Sequence, residues 1–127
     1  MRQIIGVEFW QLTRKGKIEI HRYVLNCIRR EFIDKLYLPP TIEIGQRRHH
    51  RVKPSLEDNV KLGLQFSPDE SDIIIKEVFD ISMGGAKCIY SGDYIIEEGT
   101  ELELMVIFLP SVVIHCGGRI VHVITDE

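Results

Sequence analysis

Arg47, Arg48 and Arg51 stand close together in the run Gln46-Arg47-Arg48-His49-His50-Arg51-Val52, and Arg47 and Arg51 have the spacing R-x-x-x-R. A guanidinium presents a planar fork of donors that matches phosphate oxygens or the O6/N7 edge of guanine, and its face stacks on a base. Further along, Asp80-Ile81-Ser82-Met83-Gly84-Gly85 forms a D-x-S-x-x-G. There a carboxylate can accept from paired N–H donors, a small hydroxyl can bond a ligand or the backbone, and glycine permits a close approach or positive φ. Taken singly, each stretch has a plainer reading: a solvated basic loop for the first, an Asx- or Ser-type turn between strands for the second.

In this order, each beside a β-rich segment, the pair resembles the signature of the PilZ domain, the bacterial receptor module for cyclic diguanylate (c-di-GMP). The resemblance implies a mainly β protein, a six- to seven-stranded antiparallel barrel with one packed amphipathic helix, that binds its ligand without catalysis. It assigns Arg47 and Arg51 the grip on phosphate and guanine, with Arg48 as a further contact. It gives Asp80 the N1–H and N2–H₂ donors of guanine's Watson–Crick edge, and Ser82, Gly84 and Gly85 complete the implied ligand-binding set. The ligand is one that the family often takes as a stacked dimer, and no cofactor beyond it is implied. An unidentified downstream protein partner is expected, with motility, polysaccharide synthesis and secretion equally open as outputs.

The order of the segments departs from the family. There the barrel's last strand carries a G-[IV]-x-F pattern and leads into a C-terminal helix. Here Ile4-Ile5-Gly6-Val7-Glu8-Phe9 and a helix-like run precede Arg47. The resemblance therefore implies a single PilZ-type domain over 1–127 in circularly permuted order. Residues 1–36 correspond to the family's last strand and C-terminal helix, 37–45 form a connector, and 46–127 carry the arginine loop and barrel body. Residues 4–12 are then expected to pair antiparallel with 119–125. A fragment of a tandem protein and a domain swap are the competing explanations, so the expected state is a monomer or a swapped oligomer.

The hydrophobic periods suit these assignments. Ile5, Val7 and Phe9 alternate with Gly6, Glu8 and Trp10, the period of a half-buried strand, and Trp10 reads as a packing residue beside the barrel. From Lys17 to Leu36 the period lengthens: Ile20, Val24, Ile28 and Phe32 recur at four-residue spacing, which predicts an amphipathic helix of about five turns ended by Pro39-Pro40. Beyond Asn59, strands are predicted at 60–66, 73–79, 86–90, 101–108, 112–116 and 119–125, separated by turn residues.

Composition narrows the function classes. The chain has 127 residues and a net charge of −3, so the arginine run is a local positive spot in a slightly acidic protein, which suits a small anion better than a nucleic acid. Cys27, Cys88 and Cys116 are widely spaced without a C-x-x-C pair or a secretory segment, and a reducing, cytoplasmic setting is expected. The longest apolar stretch, 104–109, is too short to span a membrane.

No enzyme is expected, for there is no G-x-S-x-G, no P-loop and no acid pair among histidines. Neither a catalytic residue nor a metal is assigned: His49 and His50 would point to opposite sides of an extended segment, and His21, His115 and His122 read as surface or barrel-flank residues. The alternative function is a nucleotide-independent PilZ-like interaction barrel, opposed by the intact arginines and D-x-S-x-x-G. A single-stranded nucleic acid barrel is opposed by the net charge and the few aromatics.

Overall fold

Alternating apolar residues need a surface to bury them, and here the surface is a sheet rolled on itself. The computed structural model describes residues 2–34, 51–66, 73–91 and 95–126. Strands β1 (Arg2–Trp10), β2 (Lys61–Gln65), β3 (Ile74–Ile81), β4 (Gly85–Ser91), β5 (Glu101–Phe108) and β6 (Val113–Asp126) form a closed barrel in the order β1-β4-β3-β2-β5-β6, every neighbour antiparallel. Helix α1 (Arg14–Asp34) follows β1, and a short 3-10 turn, Leu56–Asp58, precedes β2. Closure leaves no sheet edge among these strands.

The joint between β1 and β6 closes the barrel. Ile4 pairs with Ile124, Ile5 with Val123 and Glu8 with Arg119, so the antiparallel pairing expected between residues 4–12 and 119–125 is present up to Trp10, where β1 ends. β1 also pairs with β4, from Arg2 opposite Ser91 to Glu8 opposite Gly85, and is thus a central strand. The two strands expected at 112–116 and 119–125 are one: β6 runs through Gly117-Gly118, which lie opposite Trp10 and Phe9. Glycine there allows backbone and Met105 to approach closely, so the pair does not turn the chain.

Helix α1 closes one end of the barrel. The pairings Glu8 with Gly85, Ile81 with Ala86, Lys61 with Phe108 and Phe108 with Val113 bring the ends of β1, β3 and β5 and the starts of β2, β4 and β6 to the same rim. α1 lies against that rim: His21 meets Met83 between β3 and β4, Tyr23 and Arg30 bond Asp58 just before β2, and Gly16 sits against Ile114 of β6. Its predicted stripe is buried at Ile20, Val24 and Ile28, joined by Cys27, and merges with barrel residues such as Leu62, Ile81 and Met105 in one core.

The helix begins earlier than its hydrophobic period suggests. Thr13 Oγ1 accepts from the Gly16 N–H at 3.0 Å, a side-chain cap that satisfies one of the free donors of the first turn. The predicted terminator, Pro39-Pro40, lies outside the described residues, as does the 37–45 connector. At the opposite end of the barrel Gln3, 2% exposed, exchanges both amide hydrogen bonds with the backbone of Ile96, holding the segment before β5 over the opening. No described helix is long and apolar enough to cross a membrane.

Candidate functional site

A change of phase in β3 determines where Asp80 points. Ile74 and Val78 pack toward the core, so strict alternation would carry Asp80 inward and Ile81 outward. Instead Val78 pairs with Cys88 and Asp80 with Lys87, leaving Phe79 as the extra residue of a bulge. The bulge reverses the phase: Ile81 is fully buried, and Asp80 faces outward. A parity clash in the sequence signals it, since Ile74 and Val78 share one phase while Ile81 has the other.

Arg51 is brought to that carboxylate by a backbone bridge. The Val52 N–H donates to Ile81 O and the Ile81 N–H to Val52 O, both at 2.9 Å, laying the end of the arginine run antiparallel to the end of β3. Val52 and Ile81 both point into the core, and their neighbours Arg51 and Asp80 consequently share the outer side. Arg51 Nη1 donates to Asp80 Oδ1 at 3.0 Å, with the guanidinium side chain about half exposed and the carboxylate mostly covered.

The D-x-S-x-x-G turn is built inward from Ser82. Its hydroxyl is buried and accepts from the N–H groups of Gly84 and Gly85 at 3.3 and 3.2 Å, while the Ser82 N–H donates to Gly85 O at 2.8 Å. Of the two roles open to that hydroxyl, the structure shows the backbone one. Gly85 needs its missing side chain for proximity: a Cβ there would collide with Val7 O on β1. The Phe9 N–H donates to Gly84 O at 2.8 Å, which fastens the turn to β1. Arg51, Asp80, Ser82, Gly84 and Gly85 therefore form one constellation, whereas Arg47 and Arg48 lie outside the described residues.

Beside this turn opens a cleft of about 1060 Å³. Its lining includes Arg51, the Ser82–Gly85 turn and Glu8 on β1, with Lys17 and His21 reaching it from α1. Sequence reading left Lys17 and His21 out of the site, since only the docking of α1 on the rim brings them to the turn. Their four-residue spacing, which places both on one helix face, was the available signal.

A family model described as the PilZ domain matches residues 45–127, well over half of the chain. The chain belongs to the PilZ family. PilZ domains are c-di-GMP receptor modules rather than enzymes, and both the arginine run and the D-x-S-x-x-G turn fall within the matched span. β1 and α1 lie before it, although β1 completes this PilZ barrel. No curated protein and no solved structure matches the chain.

Proposed function

We propose that this PilZ domain is a receptor for c-di-GMP that works without catalysis, on the cytoplasmic side where such a messenger circulates. The observation that carries the reading is the Arg51–Asp80 ion pair, set beside a cleft bounded by the Ser82–Gly85 turn. Asp80 takes one donor, Nη1, of the Arg51 fork. Ligand phosphate or the guanine O6/N7 edge offers that fork a bidentate acceptor, while guanine N1–H and N2–H₂ offer donors to the carboxylate. Binding thus exchanges one ion pair for two contacts matched to the ligand. Arg47 and Arg48 add cationic groups in the same run of sequence, Ser82 holds the turn's shape, and Gly85 lets the turn lie close against β1.

At about 1060 Å³ the cleft is slightly above the usual range for small-molecule sites, roughly 300–1,000 Å³, and is large enough for a cyclic dinucleotide. Titration with c-di-GMP and, separately, with a single-stranded oligonucleotide tests the assignment. Binding of the cyclic dinucleotide alone is expected. No heat and no shift in melting temperature with c-di-GMP would favour the nucleotide-independent interaction barrel.

We further propose that residues 1–127 make one domain in circularly permuted order, β1 and α1 standing for the family's last strand and C-terminal helix. Support comes from the family match beginning at residue 45 and from β1 filling the place between β4 and β6 within the same chain. A rearranged gene in which residues 1–36 follow residue 127 through a short linker should yield a folded monomer with unchanged ligand affinity. An insoluble or unfolded product would count against the permutation.

A further inference from the structure

The c-di-GMP cleft has a second wall that belongs to the helix. Lys17 and His21 line it from α1, together with the barrel turn that the family match covers. His21 Nδ1 lies 2.8 Å from Met83 Sδ, so this face of the helix is in direct contact with the D-x-S-x-x-G turn.

Charge distinguishes Lys17 from its neighbours. Arg51 is already answered by Asp80 at 3.0 Å, and Glu8 adds a carboxylate to the lining, its Oε1 accepting from Trp10 Nε1 at 3.2 Å. Among the described residues Lys17 makes no ion pair, and it is exposed. It is therefore the one lining cation, among the described residues, whose charge no carboxylate offsets at contact. An ammonium on a flexible stem, held on a helix at the side of a cleft, is a compact point charge suited to a phosphodiester oxygen.

Resting on the c-di-GMP reading above, we propose that Lys17 is a ligand-binding residue that contacts a phosphate of the cyclic dinucleotide from the α1 wall, with His21 a positioning residue that keeps the helix face on the turn. The ligand is then held between barrel and helix. Arg51 and the turn contribute from the barrel and Lys17 from the helix.

Lys15 supplies the control. It stands two residues earlier on the same helix, about 200° around its axis, is exposed, carries the same charge and does not line the cleft. Calorimetric titration with c-di-GMP at low and moderate salt is carried out on the wild type and on Lys15→Ala, Lys17→Ala, Lys17→Arg and Lys17→Glu. Lys17→Ala should weaken binding about tenfold and Lys17→Glu on the order of 100-fold, while Lys17→Arg stays within about threefold. The dependence of affinity on salt should flatten in Lys17→Ala and more strongly in Lys17→Glu, and stay as in the wild type in Lys15→Ala and Lys17→Arg. Lys15→Ala should bind like the wild type. Equal affinities for Lys15→Ala and Lys17→Ala would overturn the role of Lys17 while leaving the receptor intact. A wild-type protein that binds no c-di-GMP would overturn the receptor reading itself.

Discussion

Replacing Asp58 by alanine removes the anchor that holds α1 on the rim of the barrel. Tyr23 Oη donates to Asp58 Oδ2 at 2.7 Å, and Arg30 reaches both carboxylate oxygens, at 2.7 Å to Oδ2 and 3.4 Å to Oδ1. Tyr23 is buried, so losing its charged acceptor costs about 1.5–2.5 kcal/mol. The Arg30 side chain is 47% exposed, and solvent screening reduces its pair to about 0.5 kcal/mol. A loss of roughly 2–3 kcal/mol is expected, a fall in melting temperature of about 6–15 °C for a domain of this size. Urea denaturation at pH 7 measures it directly.

The Arg30 hydrogen bond, aided by that from Tyr23 and opposed by burial, holds the Asp58 carboxyl below the usual carboxylate range. A depressed folded value means the stabilisation is present above the unfolded carboxyl pKa, about 3.9, and disappears as pH falls through the folded value. The gap between wild type and Asp58→Ala should therefore be full at pH 7 and close progressively below about pH 4. A gap under about 0.5 kcal/mol at neutral pH, or one that persists unchanged in acid, would refute the anchor.

Gly85→Ala should destabilise the barrel by about 2–4 kcal/mol in the same urea assay, because the new Cβ meets Val7 O and pushes β4 off β1, stretching cross-strand hydrogen bonds. A loss below 1 kcal/mol, taken as about the worth of a single hydrogen bond, would mean the strands can separate freely there. Asp80→Ala should weaken c-di-GMP binding and narrow the preference for c-di-GMP over c-di-AMP, since the carboxylate matches guanine's donors. An unchanged preference would confine Asp80 to holding Arg51.

Local chemistry was legible where neighbouring residues settle it. The alternation of Ile5, Val7 and Phe9 fixes the inner face of β1, and the spacing of Ile20, Val24 and Ile28 picks out the buried stripe of α1. Pairing β1 with β6 followed from reading the family's order across the chain, and the register agrees. What escaped depends on contacts distant in sequence. The bulge at Phe79 is imposed by competition between Val78 and Ile81 for the core, and it decides the direction of Asp80. Gly117-Gly118 read as a turn between two strands, yet Met105 and the Glu8 carbonyl crowd the position and need glycine within one continuous strand. Gln3 sits on a strand and is buried because Ile96, far along the chain, presents an unpaired amide to it. Ser82 was legible as a small hydroxyl, and only the fold shows it turned toward the backbone.

The central claim is that the arginine run and the Asp80 turn form one c-di-GMP site, and isothermal titration of wild type, Arg47→Ala and Arg51→Ala with c-di-GMP tests it most directly. The account predicts binding by the wild type and a loss of about 2–3 kcal/mol, roughly 30- to 150-fold in affinity, in each variant, with folding intact because Arg51 is half exposed and its neighbour Val52 still bridges to Ile81. Undiminished affinity in both variants would contradict it and remove the arginines from the site.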